Sequence, residues 1–401
     1  MSVWDDLFRN ALNQASARGL LRTRTVRNPS DAIHLSESSA SLNAEPKPTL
    51  INFASNDYLG LSHHPRLIAA AHKSLDQRVG SGAAPLVTGY SSDHVRLEKT
   101  IAQWKQMDDS ILLPSGYQAN HAAIGALTVA AETVGKKVRF LLDKLVHASI
   151  VDAVRASQGE YRIYPHNSLA KLRRLLTEKQ GEYVDVVVTE SIFSMDGDAV
   201  DLEGLVDLKK QMPFLLLLDE AHATGVYGPN GAGYAAERGL TEFVDLSVIT
   251  FSKSIGIIGG AVAASTTLIE AIVNFGRAYL FSTSIPPHVC NVVHEAIAIM
   301  HDEPHRRMRV RKLAKDFRGE LSALNFEVPP GDSPIIPLIL GDEQTALDAS
   351  LLLKQSGFLV VASRPPTVPK GSSRLRITLS SEHDETDIHR LLSILKTMQC
   401  R

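Results

Sequence analysis

The sequence predicts an α/β protein, with a large domain built on a mostly parallel central sheet and a smaller α+β domain at the C-terminal end. Three observations predict it. From Leu50 onward, short apolar runs alternate with longer stretches of helical periodicity, the pattern of βαβ units. Four of those runs, VRFLLDK, VDVVVTES, FLLLLDEAH and LSVITFSK, read as buried strands and all end in polar residues. After about residue 285 the texture shifts. Pro286-Pro287 breaks the chain, a helix-like region runs to about Leu324, and the strand-like segments SPIIPLIL, FLVVAS and RLRITL precede a final helix, DETDIHRLLSILKTM.

Ahead of these elements, residues 2–22 read as an amphipathic helix with Trp4, Leu7, Phe8, Leu12 and Leu20 as its apolar positions. A Ser-rich, Pro-containing stretch from Ser36 to Pro48 reads as a loop or linker. The chain thus divides into a helix and linker over 1–49, a large domain over 50–285 and a small domain over 286–401. Its 401 residues exceed what one small core organises, so two domains are the default.

Composition excludes several classes. With 44% hydrophobic and 21% charged residues and a net charge of −2, the chain has an ordinary globular balance, and nothing marks a general nucleic-acid or membrane-surface binder. The basic run Arg306, Arg307, Arg309, Arg311, Lys312 reads as a solvated helix face rather than a phosphate patch. Two cysteines, Cys290 and Cys400, make no CxxC motif and no disulfide framework, which fits a reducing compartment. The opening MSVWDDLFRNALNQ has early acidic residues and no apolar core, so no secretory signal is expected. No apolar run approaches the roughly 18–20 residues that span a bilayer. The expectation is a cytoplasmic protein.

In open α/β sheets, ligands bind beyond the carboxyl ends of the strands. Asp143, Glu190, Asp219, Thr250 and Lys253 are therefore expected to face one crevice. Lys253 sits in TFSKSIGIIGG, between hydroxyl residues and glycines that let a ring approach the backbone. Asp219 ends a four-leucine strand, where a buried carboxylate needs a partner, and His222 follows three residues later. Ser115-Gly116-Tyr117 lies between the strand-like SILLP and the helical QANHAAIGAL, a phosphate-ready turn at a helix start. His147, in LLDKLVHASIVDA, can lie flat over a ring. Each has a plainer reading: a solvated loop lysine, an aspartate cap, a structural histidine, an ordinary turn, a histidine cap. Together they supply what pyridoxal phosphate (PLP) requires: an amine for an imine, a carboxylate for the pyridine nitrogen, donors for the phosphate and a stacking partner.

Other motifs return little. No GxxxxGK[ST] is present, and GAGYAA at Gly231 lacks a preceding strand. His301 and His305 are separated by Pro304, which spoils a helical metal pair, so no metal site is proposed.

These segments resemble the α-oxoamine synthases, within the fold-type-I aspartate-aminotransferase-like PLP enzymes. The resemblance runs from NFASNDYLGL at Asn52 to RLRITLS at Arg374 and rests on VTESIFSMDGD, LLDEAHATGVYGPNGAG and TFSK in that order. It implies condensation of an amino acid with an acyl thioester, usually with loss of CO₂. GSGAAPLVTGYSSDHVRLE, FSTSIPP and RPPTVPKGSSRLRITLS look like the branch that joins L-alanine to a pimeloyl group on CoA or acyl carrier protein, in biotin synthesis. By resemblance, Lys253 anchors PLP and moves the α-proton, Asp219 pairs with the pyridinium, and His222 and Ser194 contact the phenolic-oxygen side. His147 stacks on the ring, while Gly116, Tyr117 and Thr250 hold the phosphate. Arg376 grips the amino-acid carboxylate, and Arg22 and Thr367 serve substrate binding. Ser282 and Thr283 reach the cofactor of a neighbouring subunit in a homodimer. SKSIGIIGG departs from the branch, which more often has a small residue such as alanine after the lysine, so Ser254, Ile255, Ile257 and Ile258 bear on fine specificity. The rival readings are a sister synthase using glycine or serine, a silent PLP-fold partner subunit, and a nucleotide-binding module. The presence of Lys253, Asp219, His222, His147 and Arg376 argues against the silent subunit.

Overall fold

The computed structural model describes residues 3–38, 48–76, 78–178 and 181–399. Its strands, in chain order, are β1 Val26–Pro29, β2 His34–Ser38, β3 Thr49–Asn52, β4 Asp109–Leu113, β5 Lys137–Asp143, β6 Glu160–Tyr164, β7 Tyr183–Glu190, β8 Leu215–Asp219, β9 Leu246–Thr250, β10 Gly260–Ala264, β11 Ile335–Gly341, β12 Phe358–Leu359, β13 Val361–Ser363 and β14 Ser373–Thr378. Seven of them form the main sheet in the order β4-β10-β9-β8-β7-β5-β6. Only β10 runs against its neighbours; β9, β8, β7, β5 and β6 pair in parallel. This is the mostly parallel α/β sheet that the apolar runs predict.

Those runs are apolar throughout because both faces of the sheet are covered. Val186 and Val188 of β7 pack with the helices Gly116–Thr133 and Ala148–Ser157 on one face. Val187, Leu216 and Leu218 pack with the helices Leu169–Thr177 and Leu202–Gln211 on the other. The parallel strands all point their carboxyl ends at the same edge, which brings Glu190 and Asp219 into register as paired residues.

Two smaller sheets, β1-β2-β3-β12 and β11-β14-β13, complete the chain. Their packing joins distant segments: β3 pairs with β12 through Ile51↔Phe358, and Phe53, Tyr58 and Leu59 share a core with helices Pro287–Asp302 and Pro304–Ala323 and with β11 and β14.

Several elements differ from the sequence reading. The N-terminal helix is Val3–Ala17, shorter than 2–22. β1 and β2 follow it unannounced, because strands of four and five residues made mostly of polar side chains carry little pattern; β1 is exposed, whereas β2 alternates and buries Leu35 and Glu37. Ser36–Ser38, expected in a loop, close β2, whereas 39–47 lie outside the described residues. The helix-like region before Leu324 is two helices, since Glu303 leaves helical geometry and Pro304 starts afresh. FLVVAS splits between the two small sheets: Leu359 pairs with β3 and Val361 with Arg376 of β14. The basic run is a solvated face only in part: Arg309 and Lys312 are exposed, while Arg306, Arg307 and Arg311 are half-buried. Arg306 reaches Glu303, Glu382 and the Leu59 carbonyl, Arg309 the carbonyls of Ser381 and His383, and Arg311 both Glu237 and Asp332. Among the described residues, no helix is long and apolar enough to cross a membrane.

Candidate active site

At the carboxyl edge of the main sheet lies a cavity of about 250 Å³. Glu190, Asp219, Thr250 and Lys253 line it, as the strand endings predict, together with Gly116, Tyr117, His147 and His222. Asp143 is the exception. Its carboxylate turns away to His166 and to the N–H groups of Leu145 and Asn167, so it closes a loop instead of facing the crevice.

Lys253 follows β9, and its Nζ lies 2.9 Å from His222 Nε2. Burial pushes the lysine down to about 8, against the opposing charges of Asp219 and Glu190. His222 is also held well below its ordinary value, first by burial and then by Lys253, so its ring is neutral. When Lys253 is protonated its ammonium only donates, so His222 Nε2 accepts and Nδ1 carries the ring proton. That Nδ1 lies 2.6 Å from the hydroxyl of Tyr58, which in turn donates to Asn56 Oδ1 at 3.2 Å.

Asp219 ends β8 and keeps both readings the sequence left open. It accepts the Ala221 N–H at 2.9 Å as a local cap, and it also faces the cavity. Asn120 Nδ2 donates to its other oxygen at 2.9 Å and touches Ser149 Oγ at 3.0 Å. His147 likewise is both cap and lining residue. Its Nδ1 accepts the Ser149 N–H at 3.2 Å at the start of the helix Ala148–Ser157, and burial lowers its pKa. Glu190 is fully inside, and burial, followed by the charge of Asp219, raises it to about 8. The backbone N–H groups of His147 and Ser194 work against that rise, while its Oε1 is buried with no partner among the described residues.

The opposite end of the cavity is the start of the helix Gly116–Thr133. Ser115 caps it through Gln118 N, leaving the first N–H groups directed beyond the helix end. Glycine is required here by close approach. A Cβ on Gly260 would stand 2.6 Å from Gly116 N, and one on Gly116 would stand 3.0 Å from Thr250 Cβ. Thr250 and Ser252 present hydroxyls 3.2 Å apart beside this turn. Tyr117 is half-exposed, with its hydroxyl donating to Asp152 at 2.7 Å.

The other predicted residues lie outside this lining. Ser194 accepts Arg376 Nε at its carbonyl, 2.7 Å away. Arg376, buried on β14, also donates to Asn56 Oδ1 from both terminal nitrogens at 3.1 Å and to Thr378 Oγ1 at 3.0 Å. All these acceptors are neutral. Ser282 receives Gln118 Nε2 at 3.0 Å, and Thr283 is exposed beside the protruding Phe281. Arg22 and Thr367 are exposed, and Arg364 brings their segments together by donating to the carbonyls of Gly19 and Leu21. In the departing segment, Ser254 and Ile255 are core residues, whereas exposed Ile258 lines the cavity mouth. Sequence reasoning missed Asn56, Tyr58, Asn120 and Ser149. The first two lie in NFASNDYLGL, a segment singled out for its resemblance without any role assigned to its residues.

The family model described as aminotransferase class I and II matches residues 48–395. Among curated relatives, an 8-amino-7-oxononanoate synthase of Gluconacetobacter diazotrophicus is 38% identical over 99% of this chain and 98% of its own. Another, of Anaeromyxobacter dehalogenans, is 42% identical over 86% of this chain and 85% of its own. Among solved structures, a serine palmitoyltransferase of Sphingomonas wittichii superposes with a TM-score of 0.88 at 27% identity, covering 100% of this chain and 98% of that one. An SPT structure with PLP reaches 0.89, also at 27% identity, covering 100% of this chain and 99% of that one. An 8-amino-7-oxononanoate synthase of Francisella tularensis gives 0.76 at 25% identity, covering 88% and 98%. By the family model and by these relatives, the chain belongs to the class I and II aminotransferase family, beside the 8-amino-7-oxononanoate synthases.

Proposed function

We propose that this chain is a PLP-dependent acyltransferase that condenses L-alanine with a pimeloyl thioester. The thioester is carried on CoA or acyl carrier protein, and the products are 8-amino-7-oxononanoate, CO₂ and the free thiol carrier, in biotin synthesis. The observation that carries the reading is the cavity joining Lys253, His222 and Asp219, in a chain 38% identical over nearly its full length to a curated 8-amino-7-oxononanoate synthase.

The residues fit the cofactor. The helix start at Gly116 and Tyr117, with Thr250, offers N–H and hydroxyl donors to a phosphate. Asp219, held by Asn120 and the Ala221 N–H at the cavity, would pair with a cationic ring nitrogen. His147 would stack on the ring, and His222 with Ser194 would serve its phenolic-oxygen side. When bound, PLP supplies the electron sink for the carbanion left at the amino-acid α-carbon.

Lys253 would hold the cofactor through its aldehyde, and its free amine would take and return the α-proton. A lysine near 8 can do both at neutral pH. Arg376 supports an amino-acid substrate: it is a buried guanidinium for which no carboxylate partner stands among the described residues, and an incoming carboxylate would supply one. Arg22 and Thr367 would meet the substrate at the mouth. Ser282 and Thr283 would complete the cavity of a second copy in a homodimer, which suits their place beside exposed Phe281.

The likeness to serine palmitoyltransferases over the whole chain favours a second reading, serine with a long acyl thioester. One experiment separates the two. PLP-loaded protein is assayed for thiol release with L-alanine plus pimeloyl-CoA, glycine plus acetyl-CoA, and serine plus palmitoyl-CoA, with products identified by mass. Release specific to alanine and pimeloyl-CoA supports the first reading, and release only with another pair rejects it. If no pair turns over, pimeloyl-acyl carrier protein is the next substrate, and failure with it rejects the reading.

A further inference from the structure

We propose that His166 is a positioning residue for this site: held between Asp143 and Asp198, it clamps the loop that carries His147 to the loop that carries Ser194. The inference deepens the reading of the cavity given above and rests on it.

His166 follows β6, the last strand of the main sheet, and lies outside the cavity lining. Its Nδ1 is 3.0 Å from Asp143 Oδ1 and its Nε2 is 2.7 Å from Asp198 Oδ2. A carboxylate only accepts, so a ring that satisfies one on each nitrogen donates twice and is an imidazolium. Burial works against that charge, but the two carboxylates overrule it and push His166 to about 10.

Each carboxylate belongs to a different loop. Asp143 is fully buried at the end of β5 and also accepts the N–H groups of Leu145 and Asn167, both at 2.9 Å. It therefore shapes the turn that delivers His147 to the cavity. Asp198 lies beyond β7, and its carbonyl accepts the Phe193 N–H at 3.0 Å, folding the loop that contains Ser194. The edge of the His166 ring meets the Phe193 ring with centroids 4.4 Å apart, and Asn167 Nδ2 donates to the Ala199 carbonyl at 3.1 Å. From the same loop, the Ser194 carbonyl aims Arg376, and Asp196 holds Arg374. One cation thus joins the ends of three adjacent strands and sets the gap between His147 and the Ser194–Arg376 contact. Without it, two acidic side chains with a shared partner would repel across that gap.

The test uses the PLP-loaded full chain with His166→Gln and, as a milder break, Asp198→Asn, which keeps the Asp143–His166 pair. An amide cannot donate to both carboxylates in the imidazolium geometry. The readouts are the visible circular dichroism of bound PLP, a spectral titration with L-alanine that needs no turnover, and the split between KM and kcat. The expected result is retained PLP and cooperative melting, an altered dichroic band, and alanine affinity weakened at least about tenfold. KM for the acyl donor should move less than about threefold. Asp198→Asn should shift the same readouts in the same direction by less. A folded His166→Gln or Asp198→Asn protein whose dichroic band and alanine affinity match the wild type overturns the clamp. If His166→Gln does not fold, Asp198→Asn decides alone. Wild-type protein that takes up no PLP overturns the cofactor reading first, and the clamp with it.

Discussion

Lys253 should react with an aldehyde at neutral pH far more readily than an ordinary lysine, and the pH at which its rate levels off tests why. An amine attacks a carbonyl only when deprotonated. With its pKa lowered from 10.5 to about 8, about one tenth of Lys253 is free amine at pH 7, against about one part in three thousand for an unperturbed lysine. The gain in reactive form is about 300-fold. A less basic amine is also a weaker nucleophile, which trims the advantage without moving the pH of the plateau. The assay mixes apoprotein with excess PLP and follows the visible absorbance of the product across pH. Each rate is divided by that of a simple alkylamine under the same conditions, to remove the cofactor's own titrations. After correction for the alkylamine's own ionisation, the rate should rise about tenfold per pH unit below 7 and flatten near 8. The charges around the lysine set the direction of two controls. Asp219 favours the ammonium, so Asp219→Asn should move the plateau to lower pH. Arg376 disfavours it, so Arg376→Met should move the plateau upward. A wild-type rate still climbing tenfold per unit above pH 9 would refute the burial argument, and controls that shift together would refute the charge assignment.

Arg376→Met should also weaken alanine. Charged hydrogen bonds contribute about 1.5–3 kcal/mol, so kcat/KM for the amino acid should fall by about 10- to 150-fold with PLP retained, and an unchanged KM would remove Arg376 from substrate binding. Glu190→Gln should flatten part of the pH dependence of apoprotein stability. Because the folded pKa is raised from 4.5 to about 8, the stabilising contribution of that proton is full below about pH 4.5 and is lost as pH rises through about 8. The neutral amide escapes this loss, and urea unfolding should show a shallower decline between those limits; parallel curves would contradict a proton on Glu190. Gly260→Ala should destabilise the fold by about 1–3 kcal/mol and weaken PLP uptake, because the added Cβ meets Gly116 N at 2.6 Å and must push the helix start away. Wild-type melting and cofactor affinity would show that the two backbones can separate without cost.

What could be read from the sequence follows from how local each feature is. Asp219, Glu190 and Thr250 are strand endings, with Lys253 three residues beyond the last of them, and a parallel sheet carries every such ending to one edge whatever the helices between them do. The same rule overreached at Asp143, because it fixes where a strand ends and not where its side chain turns; the neighbouring strand β6 supplied His166, and the carboxylate followed it. His147 and Asp219 show why the plain and the functional readings could not be separated beforehand. His147 caps a helix start and Asp219 caps a turn at the carboxyl edge of the sheet, where the crevice opens, so one position satisfies both readings. The chain Arg376–Asn56–Tyr58–His222 has no local signature at all. Its links cross 320 residues between Arg376 and Asn56 and 164 between Tyr58 and His222, and they exist because the segment after β3 is buried between the small sheets and the main one. That packing has a chemical consequence. The imidazole next to the reactive lysine is tied through Tyr58 and Asn56 to the arginine proposed to hold the substrate carboxylate. A carboxylate that draws Arg376 away from Asn56 would therefore loosen an acceptor for the Tyr58 hydroxyl, two hydrogen bonds from Lys253, and alter the proton balance at His222, which touches the lysine directly.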